Sequence, residues 1–159
     1  MNLNILVLSL TFLIGLVSGL RAFTGPAAVC WAAHLGWINL EGSPLAFMGS
    51  KWAAGIFTIL ALVEYVTDQL PSTPSRTVPM QLGARLVLGM LAGATLAAGG
   101  AAPWLVGAIC AAIGVLVGTF GGYRARVGLV QALNVPDIAV AIPEDLIAIG
   151  LGFFAVSRF

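Results

Sequence analysis

The sequence predicts an all-α fold: a polytopic helical membrane protein with about five transmembrane helices and one short re-entrant or interfacial helix. Hydrophobic residues make up 60% of the 159 residues and charged residues only 8%, whereas soluble domains carry about 25% charged residues. The apolar runs are long enough for spans of about 20 residues, and short groups of turn residues separate them. We therefore expect a single integral membrane domain over residues 1–159.

Residues 3–20 form the first predicted span, because they are apolar and uncharged. No positive charge precedes them and no small-residue cleavage site follows, so we do not expect a cleaved secretory signal. Thr24, with Gly25 and Pro26 after it, marks a new helix start. Segment 26–40 is too short for a full crossing at about 1.5 Å per residue, which favours a re-entrant or interfacial helix.

A second predicted span covers residues 51–70, with Lys51 and Trp52 as interfacial residues at its start. Residues 71–77 contain two prolines and four hydroxyl residues, a composition that predicts a loop. Thr77 at the end of this loop can cap the helix that follows.

The longest uncharged run, residues 86–123, is about twice the length of one span. Two glycines and a proline within residues 99–103 interrupt it, which predicts two spans joined by a tight hairpin. After a turn at residues 135–137, Pro143 is predicted to open the last helix, which ends near Arg158.

An octapeptide with one arginine occurs twice, as G-L-V-S-G-L-R-A at residues 15–22 and as G-T-F-G-G-Y-R-A at residues 118–125, 103 positions later. With five spans, the two copies end spans of opposite direction, as in an inverted repeat with halves 1–70 and 103–159 and a linking span at 80–100. If the short helix after the first span crosses fully, the repeat becomes parallel. Chance recurrence in a glycine-rich chain is the alternative.

Ionisable residues inside spans are costly, so they mark candidate sites. Glu64 and Asp68 are four positions apart and share one helix face. On the five-span topology, charges of mixed sign meet near one end of the bundle. The candidate substrate- or ion-binding residues are Arg21, Thr24, Glu64, Asp68, Arg85, Arg124, Glu144 and Asp145.

These candidates also have structural interpretations. Glu144 and Asp145 lie in a predicted first helical turn, where the helix dipole favours carboxylates. Arg85 can extend to the lipid headgroups, and Asp68 lies close to the loop. Glu64 is four positions farther from that loop than Asp68, which makes it the strongest candidate.

No catalytic or metal-binding set is predicted. Cys30 and His34 share a helix face but make an incomplete metal site, and Cys30 and Cys110 are expected to pack as small hydrophobic residues. No phosphate loop or nucleophile motif is present in the sequence. We therefore expect no enzymatic activity and no cofactor, and a net charge of +1 gives no basic surface for nucleic acid.

Small residues at four-residue spacing indicate close helix packing, either within one chain or between chains. The positions are Gly15 and Gly19, Gly89 and Gly93, and Gly114, Gly118 and Gly122. The positive charges favour a cytoplasmic N-terminus by a margin of one on the five-span topology.

Five segments together resemble the domain-of-unknown-function 4126 family of small bacterial inner-membrane proteins. They are G-L-R-A-F at 19–23, E-Y-V-T-D-Q-L-P at 64–71, T-P-S-R-T at 73–77, G-A-R at 83–85 and P-E-D-L-I-A-I-G at 143–150. Members often have lysine after the aspartate, where this chain has Gln69. The resemblance implies an integral membrane protein and carries no established activity. It points to Arg21, Glu64, Asp68, Glu144 and Asp145 without assigning them roles.

Two functional hypotheses follow. The first is a small secondary transporter or channel for an ion or small solute, with proton coupling through Glu64 and an anion-binding helix start at residues 24–27. The second is a structural or accessory protein that dimerises or docks a partner through glycine-rich helix faces. A lipid-modifying enzyme ranks third. The expected surroundings are the lipid bilayer of the inner (plasma) membrane, and a second copy of the chain is the expected protein partner of the second hypothesis.

Overall fold

The computed structural model describes residues 3–69 and 75–159, and within them the chain is all-α. The α-helices are α1 (Leu3–Leu20), α2 (Thr24–His34), α3 (Lys51–Thr67), α4 (Pro79–Gly99), α5 (Trp104–Leu133) and α6 (Asp137–Val156). A turn of 3₁₀ helix, Ala46–Gly49, precedes α3. Of the loop predicted at residues 71–77, positions 71–74 lie outside the described residues.

Within the described part of the chain, three helices, α4, α5 and α6, are long and apolar enough to cross a bilayer. α1 contributes a shorter apolar stretch, Asn4–Leu20. Large apolar side chains such as Ile109 on α5 and Leu146 on α6 are exposed, as expected for helices that contact lipid. The predicted all-α class with long apolar helices is therefore confirmed.

Glycines bring α1 and α5 into close contact. A Cβ atom added to Gly15 would meet the backbone of Ala111, and one added to Gly118 would meet the carbonyl group of Leu16. Gly19 faces Gly118 in the same interface, where an added Cβ would lie 2.9 Å from the Gly118 Cα. The two octapeptide copies therefore pack against each other within one chain.

α1 and α5 run in the same direction, because contacts advance along both helices together. Gly15 lies against Ala111, and Gly19, one turn later, lies against Val115. The inverted repeat predicted from five alternating spans is therefore wrong for these two copies. They are also locally different, since α1 ends before Arg21 whereas α5 continues through the equivalent arginine.

The return path of α2 explains this difference in direction. Gly25 at its start packs against Ser18 of α1, and the Trp31 indole donates to the Thr58 hydroxyl of α3 at 2.8 Å. α2 therefore runs antiparallel to both α1 and α3, which adds a reversal that the five-span prediction lacked. As a result, Arg21 lies at the same end of the bundle as the later arginines.

α2 has 11 residues, a length of about 16 Å, so the prediction of a short helix after the first span is confirmed. One face of α2 is buried in the main core, where Val29 and Cys30 pack with Ile14 of α1 and Leu96 of α4. Residues 35–40 then continue without a helix toward the opposite end of the bundle.

α4 runs antiparallel to α1 and α5 and packs against both. A Cβ on Gly89 would contact Ser18 and Val115, and one on Gly93 would contact Ala111 and the Gly107 carbonyl. These glycine pairs, like those of α1 and α5, therefore make contacts within the chain. The hypothesis of assembly between chains needs the same glycine faces to be free, and they are already covered.

The α5–α6 hairpin differs from its prediction at both helix ends. α5 extends to Leu133, where Asn134 ends it in the left-handed conformation at φ 51°, a conformation that asparagine tolerates better than most residues. α6 begins at Asp137 and not at Pro143, which lies inside the helix. Pro136 precedes α6 as its N-cap. The acidic pair predicted in a first turn therefore lies nearly two turns deeper, because α6 begins six residues before Pro143.

Candidate functional site

Charged side chains gather at the end of the bundle where α1 and α3 end, α4 and α6 begin, and the second half of α5 passes. We call this group the ionic network. Its members are Arg21, Glu64, Asp68, Arg76, Arg85, Arg126, Asp137, Glu144 and Asp145.

Arg21 is fully buried in the non-helical link between α1 and α2. Its Nη1 donates to Asp68, the C-cap residue of α3, and its Nε donates to Asp145 of α6 at 2.5 Å. Its guanidinium group also lies 5.7 Å from the centre of the Tyr65 ring. Arg21 therefore joins three elements, and loss of its charge would leave two carboxylates without their shared partner.

Glu64 is buried and binds the same link from the side of α3. Its carboxylate accepts the backbone N–H of Ala22 at 2.7 Å and that of Phe23 at 3.0 Å. These N–H groups are available because α1 ends at Leu20 and a helix start leaves its first donors without helical partners. The chain's own carboxylate thus occupies the place where a broken helix would otherwise attract an external anion.

Arg85, almost fully buried in α4, holds the end of α1. Its Nη1 donates to the carbonyl groups of Gly19 at 3.1 Å and Leu20 at 2.9 Å, where the helix dipole favours a cation. Its Nη2 lies 3.3 Å from Glu64 and 3.5 Å from Asp68. Arg85 is therefore anchored mainly by carbonyl groups, and its two carboxylate contacts are long.

Glu144 connects the two remaining arginines of the network, Arg76 and Arg126. Arg76 donates to both of its oxygens, at 2.5 and 3.1 Å, and Arg126 donates to it at 3.3 Å. Arg126 also makes two hydrogen bonds to Asp137, one of them from Nε at 2.8 Å. These contacts tie the start of α6 to α5 and to the segment before α4.

Thr24 lies beside the network at the start of α2, where its hydroxyl pairs with the Tyr65 hydroxyl at 2.7 Å. Arg124 is exposed on α5 and makes none of the ion pairs found among the described residues. The structure therefore brings together six of the eight predicted residues, places Thr24 next to them and leaves Arg124 outside.

Sequence reasoning missed Arg76, Arg126 and Asp137. Arg76 falls in a predicted loop, and Arg126 follows an apolar run that was expected to end at the membrane surface. Asp137 could have been found from the turn predicted at residues 135–137, because a hairpin there brings this residue back toward the end of α5. The binding roles of all these residues stay predictions.

A cavity of about 250 Å³ opens beside the ionic network. We call it the vestibule. The residues of its lining include Asp68, Arg76, Arg85, Tyr123, Arg126 and Asp137. The network therefore borders space large enough for several water molecules or a small solute.

Over residues 3–69 and 75–159, the fold and the site define a small all-α protein with three helices suited to a bilayer and a buried ionic network at one end. The chain belongs to the family described as Domain of unknown function (DUF4126), whose family model matches residues 8–158. The resemblance of the five sequence segments is therefore confirmed. Comparisons with curated proteins and with solved structures gave no match.

Proposed function

We propose that this chain is a multi-pass transporter or channel of the inner (plasma) membrane that moves an ion or small solute with proton coupling. In the proposed topology α1, α3, α4, α5 and α6 cross the bilayer, and α2 with the residues after it carries the chain back between α1 and α3. α1 and α3 have 18 and 17 residues, close to the lower limit of about 17 for a crossing. The proposal includes no enzymatic step.

The ionic network is the observation that carries this proposal. Buried ion pairs add little stability compared with apolar packing of similar volume, whereas ionisable groups at membrane depth often form ion and proton pathways. The network has five carboxylates and four arginines. One carboxylate is therefore in excess, and it can take up a proton without removing the partner of an arginine.

A second polar pocket supports a path between the two ends of the bundle. It has a volume of about 400 Å³ and is lined by residues after α2, including Asn39 and Glu41. Ala33 near the end of α2 contributes to the same lining, while the start of α2 adjoins Glu64. α2 thus extends from the neighbourhood of Glu64 to this second pocket, and we infer that its movement opens a path between the two ends.

The distribution of positive charge orients the proposed topology. The end with the ionic network carries the arginines at positions 21, 76, 85, 124 and 126, whereas Lys51 and Arg158 lie toward the other end. The positive-inside rule then assigns the network end to the cytoplasm. This orientation is the reverse of the one favoured by sequence alone, because the additional reversal at α2 places Arg76, Arg85, Arg124 and Arg126 at the end opposite the N-terminus, together with Arg21.

Proton-coupled flux in liposomes tests the proposal. The protein is reconstituted in proteoliposomes with a pH-sensitive dye, a pH gradient is imposed, and proton and solute movements are recorded for a panel of small ions and solutes. We expect wild-type flux to depend on the pH gradient, and Glu64→Gln to lose that dependence because the amide cannot carry the proton. Arg158→Gln, which removes an exposed charge at the other end and lines neither polar pocket, is the control and should behave as wild type.

Two outcomes would contradict the proposal. Identical gradient-dependent flux in wild type and Glu64→Gln would remove this carboxylate from the coupling. No flux above that of protein-free liposomes for protons or any solute of the panel would remove transport itself, provided that the reconstituted protein keeps its helical circular dichroism spectrum.

A further inference from the structure

The side chains that line the vestibule carry more positive than negative charge, although the ionic network as a whole has one more carboxylate than arginine. Three arginines, Arg76, Arg85 and Arg126, line it together with two aspartates, Asp68 and Asp137. We propose that the vestibule binds a small free anion with a carboxylate or phosphate group, held by Arg85. This inference rests on the proposed transport function and names the class of its solute.

Among the three arginines that line the vestibule, Arg85 has the least complete pairing. Its Nε is buried and has no hydrogen-bond partner among the described residues. Its contacts with Glu64 and Asp68, at 3.3 and 3.5 Å, exceed the length of about 2.7–2.9 Å typical of charge-assisted hydrogen bonds. A buried donor without an acceptor is unfavourable, so an incoming oxyanion gains an interaction that the empty protein lacks.

The other two lining arginines are already engaged. Arg76 donates to both oxygens of Glu144, and Arg126 donates to Asp137 and Glu144. They contribute positive potential to the vestibule, while Arg85 keeps donor capacity for a ligand. The geometry therefore favours binding against α4 over binding against α5.

The volume limits the size of the anion. A cavity of about 250 Å³ corresponds to about eight water molecules at roughly 30 Å³ each. Inorganic phosphate or a short-chain carboxylate fits this space, whereas a larger organic anion of drug size generally needs about 300 Å³ or more. The anion is therefore expected to have a handful of non-hydrogen atoms.

Glu64 provides the link between the anion and the proton. Its carboxylate shares Arg85 with the vestibule and holds the N–H groups of Ala22 and Phe23. An anion at Arg85 repels this carboxylate, and a proton on Glu64 relieves the repulsion. Linkage requires the reverse effect as well, so each of the two ligands favours binding of the other. Anion and proton would thus be taken up together.

Direct binding measurements test the proposal without any gradient. Isothermal titration of lipid-depleted protein in an uncharged detergent uses inorganic phosphate and acetate as probes, with dihexanoyl phosphatidic acid as the lipid-headgroup arm. Wild type should bind phosphate or acetate saturably. Arg85→Lys, which keeps the charge but loses the planar guanidinium donors, should bind about tenfold more weakly, a difference of about 1.4 kcal/mol.

Two further variants keep the test decisive if Arg85→Lys fails to fold. Asp137 is half-exposed, so Asp137→Asn should fold, and it should bind the anion severalfold more tightly because it removes a negative charge from the lining and frees Arg126. Arg124→Gln, outside the vestibule, should bind as wild type does.

The proposal is overturned if wild type shows no saturable binding of phosphate or acetate up to about 100 mM, a concentration above the millimolar range of weak specific sites. It is also overturned if only the phosphatidic acid binds, or if Asp137→Asn binds no more tightly than wild type. Failure here is distinct from failure of transport, because a protein that carries protons or cations would keep Glu64-dependent flux while binding no anion.

Discussion

Gly118 and Gly121 lie one turn apart on α5 but have different surroundings, and a methyl group at each should have opposite effects. A Cβ on Gly118 would stand 3.1 Å from the Gly19 Cα and from the carbonyl carbon of Leu16, and closer still to the oxygen of that carbonyl. A Cβ on Gly121 would have nothing within 4 Å. The two substitutions therefore add the same atom to the same helix in a packed and in an open position.

The size of each effect follows from these contacts. The neighbours of Gly118 are backbone atoms, so no side-chain rotation can make room and α1 must move away from α5. Such overpacking costs about 1–3 kcal/mol, and Gly118→Ala should lower the free energy of unfolding by about 2 kcal/mol. Gly121→Ala should raise it by about 0.5–1 kcal/mol, because alanine is the better helix former.

The assay is equilibrium unfolding in mixed micelles of increasing sodium dodecyl sulfate content, followed by the fluorescence of the four tryptophans. Unfolding of Gly118→Ala at the same detergent fraction as Gly121→Ala, or later, would refute the close α1–α5 contact. Equal losses in both variants would indicate that α5 tolerates no substitution and that the contact is not specific to one face.

Two further pairs of variants test other parts of the structure by the same unfolding assay. Arg126→Gln removes the hydrogen bonds to two carboxylates and should lose about 1–3 kcal/mol, whereas Arg124→Gln should stay within about 0.5 kcal/mol of wild type; equal losses would argue against the network at this end of α5. Gly36→Ala forces a side chain into a backbone with φ 79° and should lose about 1 kcal/mol, while Gly55→Ala, in an open helical position, should gain up to about 1 kcal/mol. A neutral Gly36→Ala would contradict the left-handed turn after α2.

The sequence was sufficient for elements whose ends carry strong local signals. The hairpin between α4 and α5 was predicted from the breakers at residues 99–103, and α4 ends at Gly99. The end of α5 was not predicted, because the helix continues beyond the apolar run through Arg124 and Arg126. Charge marks the limit of an apolar stretch, but it does not end a helix when its side chains find partners on a neighbouring helix.

The composition of the ionic network could be predicted in part, and its pairing could not. Glu64 and Asp68 were selected because they share a helix face, and in the structure both contact Arg85, while their shorter contacts differ: backbone N–H groups for Glu64 and Arg21 for Asp68. The position of Arg21 depends on the direction of α2. That direction is set by tertiary packing against α1 and α3, which local sequence patterns do not report.

The parallel pairing of α1 and α5 also constrains the order of events during synthesis. The two octapeptides are 103 residues apart, so at a translation rate of about 5–20 residues per second α1 waits roughly 5–20 s for its partner. During that interval Gly15 and Gly19 cannot be covered by α5, and the end of α1 lacks the Thr119 hydroxyl that later donates to Gly19. The nascent first helix therefore needs protection by the insertion machinery until α5 is made and the bundle closes.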